Sequence, residues 1–117
     1  MPAPQETTPP TTGPEIRPTV ITLPGEIDMS NAGQVHDTLV RALDGGTAVL
    51  IADAAGTTFC GSATVTTLLR VHDRAAAAGA QLRIAASPAM RRVLELTGAD
   101  STLRVYRTVA AALTATQ

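Results

Sequence analysis

The most constraining feature of the sequence is a continuous apolar run that ends in one acidic residue, AVLIAD at Ala48 to Asp53. A strand with one face in water alternates apolar and polar residues, whereas a strand covered on both faces is apolar throughout. The run therefore predicts a strand buried within a parallel sheet. Parallel strands need crossover connections, which are usually helices, so helical segments are expected on either side of it.

Segments of both kinds do alternate along the chain. Strand-like segments are Thr19–Leu23, Gln81–Ala85 and Leu103–Tyr106. Apolar residues at helical spacing, bounded by capping residues, predict four helices: from Asp28, Ser30 or Asn31 to Gly45-Gly46, from about Ser62 to Gly79, from Ser87-Pro88 to Gly98, and from Thr108 to Thr114. This alternation predicts an α/β domain with right-handed crossovers and helices packed against the sheet.

Composition excludes several classes of function. The 117 residues include no Trp, one Phe and one Tyr, so the core must be built from Ala, Val, Leu and Ile. A net charge of −1 without a basic cluster argues against direct nucleic-acid binding. Cys60 cannot form an intramolecular disulfide, and with two scattered His residues it has no metal-ligand spacing, so no metal or cofactor is expected.

The ends of the chain bear on domain organisation and location. Residues 1–14, MPAPQETTPPTTGP, are rich in Pro and Thr and are interpreted as a disordered arm, which leaves residues 15–117 as one domain. No apolar run approaches the length of a membrane span, and the N-terminus lacks the pattern of a signal peptide. A soluble, cytoplasmic protein is therefore expected.

The stretch TFCGSATVTT at residues 58–67 is the most informative for function. Gly61 is interpreted as allowing a backbone angle that a side chain would forbid, and Ser62 as the N-cap of the next helix. A helix start favours anions, so a phosphate on Ser62, which would add about −1.5 to −2 charges, would be tolerated there. A plain capping serine is the alternative, and the residues alone leave it open.

Three motifs in a fixed order extend this interpretation: Gly25–Asp28 (GEID), Phe59–Val65 (FCGSATV) and Val93–Gly98 (VLELTG). Together they resemble the STAS domain, and more narrowly the anti-sigma factor antagonists of bacteria, over about residues 19–113. The resemblance implies a STAS-like single domain of the α/β class. Its four- to five-stranded mixed sheet would carry about four helices packed mainly on one face, and it would bind proteins without catalysis.

The resemblance also implies a mechanism. Such antagonists bind an anti-sigma factor, often itself a serine kinase, and so free a sigma factor; the kinase phosphorylates the antagonist and a phosphatase restores it. Ser62 takes the phosphoacceptor position, and Asp28, Gly61, Ala63 and Thr64 fall on the implied docking surface. The sequence departs from the family pattern at Gly61, where Asp is usual, and at Thr64, where Gly is usual. Phosphorylation is therefore expected to be slow, shifted to Thr64, or absent, which would leave a constitutive binder. A monomer is expected.

Two other classes of function remain as alternatives. A small-ligand or nucleotide sensor would use the helix start as an anion site, although no Gly-rich phosphate loop with Lys is present. An enzyme with Ser62 or Cys60 as nucleophile ranks lowest, because no base is visible beside either residue. Asp53 is expected to bond loop amides, and Arg91-Arg92 to be solvated or to contact an acidic partner.

Overall fold

The computed structural model describes residues 17–115. The arm predicted at residues 1–14 lies outside the described residues. In chain order the elements are β1 (Thr19–Thr22), β2 (Glu26–Ile27), α1 (Ala32–Asp44), β3 (Val49–Ala54), β4 (Phe59–Cys60), α2 (Ser62–Ala77), β5 (Gln81–Ala86), α3 (Pro88–Thr97), a 3₁₀ turn (Ala99–Ser101), β6 (Arg104–Tyr106) and α4 (Val109–Thr114).

The main sheet has the strand order β1-β3-β5-β6, and a separate two-stranded sheet pairs β2 with β4. The α/β architecture is confirmed. A mixed sheet was expected, but every strand pairing among residues 17–115 is parallel. The reason is the connectivity: a helix stands between each strand of the main sheet and the next, and returns the chain to the same end.

Strand β3 is buried on both faces, as its apolar run predicts. Leu50, Ala52 and Ala54 belong to the larger core, which α1, α2 and α3 cover with residues such as Leu39, Leu68 and Leu94. Val49 and Ile51 point to the opposite face, where they pack with Ala112 of α4. Burying one such large side chain contributes about 1.5–3 kcal/mol. Three helices thus cover one face of the sheet and one covers the other, as predicted for helices packed mainly on one face.

Helix ends follow the predicted caps in several places. Ser87 Oγ accepts from the backbone N–H of Met90 at 3.1 Å, with Pro88 as the first residue of α3. Gly98 ends that helix in the left-handed region at φ 78°, which favours glycine. Thr108 Oγ1 accepts from the N–H of Ala111 at 3.0 Å and caps α4. Among the helices of residues 17–115, none is both long and apolar enough to span a bilayer.

Candidate functional site

The two-stranded sheet of β2 and β4 positions the site. Glu26 pairs with Phe59 and Ile27 with Cys60, and the N–H of Gly61 extends the ladder by donating to the Ile27 carbonyl at 2.9 Å. Because β2 and β4 are parallel, their C-terminal ends lie at the same edge of the small sheet. The residues that follow the two strands, Asp28 after β2 and Gly61 before α2, therefore lie at the same edge, although paired residues of β2 and β4 are 33 positions apart in the sequence (59 − 26).

Ser62 is the first residue of α2, not its N-cap, which corrects the prediction. The N-cap is Gly61, whose N–H is part of the strand ladder, so the cap lies one residue earlier than predicted and Ser62 is already helical. The side chain of Ser62 is exposed, and its hydroxyl forms no hydrogen bond within residues 17–115. The hydroxyl is thus free for another molecule, because the helix does not use it as a cap.

Gly61 does not need to be glycine for conformational reasons, contrary to the prediction. Its φ of −82° and ψ of 179° are extended angles that any residue adopts. A Cβ at this position would lie 3.8 Å from the Ile27 carbonyl oxygen and 4.0 Å from Phe59 Cε2, which are ordinary contacts. A side chain, including the Asp that is usual in the resembled family, would fit.

Asp28 is held in a hydrogen-bonded turn. Its Oδ1 accepts from Ser30 Oγ at 2.5 Å and from the Ser30 N–H at 2.9 Å. Its own N–H donates to Asn31 Oδ1, and Asn31 Nδ2 reaches back to the Glu26 carbonyl at 2.8 Å. The bonds from the Ser30 side chain and backbone lower the pKa of Asp28, so an exposed carboxylate stays ionised at the edge where α2 begins.

Thr64 faces inward. It is 2% exposed, and its Oγ1 is buried without a hydrogen-bond partner in the described part of the chain. The suggestion that Thr64 lies on the docking surface or takes the phosphate in place of Ser62 conflicts with this burial. The position, two residues after Ser62 on α2, turns the side chain toward Leu68 and the core.

An open groove of about 450 Å³ runs between α1 and α2, with Ser62 among its lining residues. We call it the α1–α2 groove; it is lined by Met29, Ala32, Gly33, His36, Ser62, Ala63, Thr66, Thr67 and Arg70. Sequence reasoning included Ser62 and Ala63 but missed His36 and Arg70. The spacing of Ser62, Thr66 and Arg70, four residues apart on one helix, was a signal that could have found Arg70.

Two large apolar side chains near the site are exposed to solvent. Met29 lies in the α1–α2 groove and is 88% exposed. Phe59 lies in β4, two residues before Gly61, and is 54% exposed. Burial of such side chains is a common source of binding energy in protein interfaces. Together with the charged Asp28 they give this edge a mixed apolar and polar character.

The remaining candidates make contacts within the chain. Cys60 is buried, and desolvation raises the pKa of its thiol, so the thiolate is disfavoured. Asp53 Oδ1 accepts from the N–H of Ala55 at 3.1 Å, and Arg91 Nη1 donates to the Ala86 carbonyl at 2.8 Å. His36 Nδ1 lies 3.2 Å from Asp37 Oδ1 and makes no hydrogen bond to Ser62. Within residues 17–115 no three metal-ligating side chains come together.

Comparisons with known proteins give a matching family and similar folds. The STAS domain family matches residues 8–112. The fold is similar to that of an anti-sigma factor antagonist from Mycobacterium paratuberculosis, with 28% identity and a TM-score of 0.76 over 83% of each chain. A Thermotoga maritima structure, described as a candidate anti-sigma factor antagonist, has 17% identity and a TM-score of 0.71 over 85% of this chain and 88% of that one. This second likeness concerns the fold alone. No curated protein sequence matches the chain.

Proposed function

Because the chain belongs to the STAS domain family, we propose that it is an anti-sigma factor antagonist, which binds an anti-sigma factor and so releases a sigma factor. The observation that carries the proposal is the exposed, unbonded hydroxyl of Ser62 at the start of α2, beside the ionised Asp28 and the α1–α2 groove. The similarity to the Mycobacterium paratuberculosis antagonist supports the same class of partner.

Ser62 is the proposed switch. The anti-sigma factor acts as a serine kinase in this proposal: Ser62 Oγ takes the γ-phosphoryl group of ATP, ADP leaves, and the hydroxyl proton is released. A phosphatase reverses the change by hydrolysis. The phosphate adds about −1.5 to −2 charges next to Asp28, which is already negative. A more negative contact surface weakens the docking of an acidic partner, so in this proposal the phosphorylated form is the unbound one.

The proposal makes the protein a non-catalytic, monomeric binding module that acts in the cytoplasm. The surroundings of Ser62 support only the non-catalytic part, because its hydroxyl makes no hydrogen bond to a base among residues 17–115 and a nucleophilic serine needs one. The monomeric state and the location are carried over from the expectations drawn from the sequence. The fold does not exclude the family Asp at position 61, because a Cβ there would make only ordinary contacts, with the Ile27 carbonyl oxygen and Phe59.

The test uses four immobilised baits in lysate of the source organism: wild type, Ser62→Ala, Ser62→Glu and Ala110→Glu. The last is a matched control, since Ala110 is exposed and lies in the first turn of α4, on the opposite face of the sheet. Captured proteins are identified by mass spectrometry. We expect an anti-sigma factor on wild type, Ser62→Ala and Ala110→Glu, and its loss on Ser62→Glu.

The other outcomes are equally informative. Capture of the same anti-sigma factor on all four baits would contradict the switch and leave a constitutive binder. Capture on none of them would contradict the proposed function. A melting shift on addition of a nucleotide would then favour the ligand sensor.

A further inference from the structure

Both ionisable side chains that the described residues contribute to the lining of the α1–α2 groove are basic. Arg70 is exposed in it, and His36, with a side chain 29% exposed, faces it from α1. No carboxylate belongs to the described residues that line the groove. Three carboxylates lie near the groove along the chain without lining it: Asp28 beside Met29, Asp37 against His36, and Asp73 three residues from Arg70, to which no ion pair joins it.

Several described arginines make no side-chain hydrogen bond or ion pair among residues 17–115, namely Arg41, Arg70, Arg92, Arg104 and Arg107. Of these, Arg70 alone lines the α1–α2 groove, and other described arginines are engaged within the chain. Arg74 pairs with Asp44 at 2.9 Å, Arg83 donates to the Ala112 carbonyl at 2.8 Å, and Arg91 donates to the Ala86 carbonyl. Arg70 has no hydrogen bond or ion pair within residues 17–115. A guanidinium in a groove, with five N–H donors and no acceptor from its own chain, is suited to a carboxylate brought by a partner.

The floor of the groove suits a protein segment. Ala32, Gly33 and Ala63 are small, so a helix or an extended segment can approach the backbone closely, and the exposed Met29 offers an adaptable apolar contact. Thr66 and Ser62 add hydroxyl groups along the same side of α2.

From this charge complementarity we propose that the α1–α2 groove receives an acidic segment of the anti-sigma factor, one carboxylate of which pairs with Arg70 while an apolar side chain covers Met29. The inference rests on the proposed function and extends it to the partner's chemistry. It also gives the switch a physical basis: a phosphate on Ser62 would bring negative charge into the groove that the acidic segment occupies.

The test measures the dissociation constant of the captured anti-sigma factor, by calorimetry, for wild type, Arg70→Gln, Arg70→Glu and Arg74→Glu. Arg74 is the matched control: it is an exposed arginine one turn further along α2 and does not line the groove. We expect Arg70→Glu to raise the dissociation constant about tenfold or more, Arg70→Gln to raise it less, and Arg74→Glu to change it less than about twofold. Binding of wild type should weaken with added salt more steeply than binding of Arg70→Gln.

The result can separate the two proposals. If the anti-sigma factor binds all four proteins alike, or if Arg70→Glu and Arg74→Glu weaken binding equally, the groove proposal is wrong and the proposed function stands. If no anti-sigma factor binds wild type, both are wrong. Melting temperatures of the variants identify any loss of binding that comes from unfolding.

Discussion

Gly61 adopts extended backbone angles, and a Cβ there would meet only ordinary contacts with Ile27 and Phe59. An acidic side chain at this N-cap would also accept from free N–H groups in the first turn of α2. The fold therefore does not require glycine at position 61.

We accordingly expect Gly61→Asp to change the free energy of unfolding by less than about 1 kcal/mol, because a glycine cap is only slightly weaker than an Asp cap. If the family Asp assists the phosphoacceptor, the same variant should be phosphorylated on Ser62 several-fold faster by the captured anti-sigma kinase, as followed by radiolabel transfer. Gly56→Asp is the control, since a side chain at Gly56 would meet no atom within 4 Å and the residue lies in the β3–β4 loop. An unchanged rate in Gly61→Asp would show that this position does not govern phosphorylation.

Thr64 gives a second prediction at this scale. Its buried Oγ1 has no partner in the described residues, and an unsatisfied buried hydroxyl costs about 1–3 kcal/mol. Thr64→Val keeps the shape and the β-branch while removing the hydroxyl, so we expect the free energy of unfolding in urea to rise by about 1 kcal/mol. Thr66→Val, at an exposed position on the same helix, should stay within about 0.5 kcal/mol of wild type. A loss of stability in Thr64→Val would mean that water or another group satisfies the hydroxyl.

At the scale of elements, the caps of α3 and α4 look alike in sequence but differ in their surroundings. Ser87 is 6% exposed; its Oγ accepts from Met90 N–H and donates to the Thr57 carbonyl at 2.5 Å. Thr57 in turn donates to the Pro24 carbonyl, so this cap ties α3 to the loops that lead into β2 and β4. Thr108 is exposed and caps only its own helix.

Ser87→Ala should therefore destabilise the protein more than Thr108→Ala. We expect a loss of about 2 kcal/mol for Ser87→Ala, because a cap and a buried carbonyl bond are both lost, and about 1 kcal/mol or less for Thr108→Ala. Urea denaturation of both variants measures the difference. Equal losses would indicate that the bond to Thr57 adds nothing to the cap.

At the scale of the whole molecule, the proposed switch changes charge and not conformation. Ser62 is exposed and unbonded, and no described contact depends on its hydroxyl. A negative charge in the first turn of a helix is also favourable. The fold should therefore tolerate a phosphate or a Glu at this position.

We expect Ser62→Glu to keep the melting temperature of wild type, with amide NMR shifts confined to the start of α2 and the facing part of α1. Thr64→Glu, two residues away, is the contrasting variant: it would bury a charge in the core and should cost more than about 3 kcal/mol, enough to unfold a marginally stable domain. Shift changes spread through the sheet in Ser62→Glu would contradict a purely electrostatic switch.

Local features were predictable from the sequence because each depends on neighbours along the chain. The apolar run of β3, the Ser87-Pro88 helix start and the Gly98 helix end are each encoded within a few residues, and the structure has all three. The family resemblance likewise depends on short motifs in a fixed order, and the family match extends over nearly the whole described chain.

Tertiary structure decided what depends on distant pairing. The parallel pairing of β2 with β4 carries the ladder into Gly61, and this moves the helix start so that Gly61, and not Ser62, is the N-cap. The packing of α1 against α2 turns Thr64 into the core and brings His36 and Arg70 to the groove that Ser62 lines. These outcomes require contacts between segments far apart in the chain, and a local pattern carries no information about which side chains such contacts bring together.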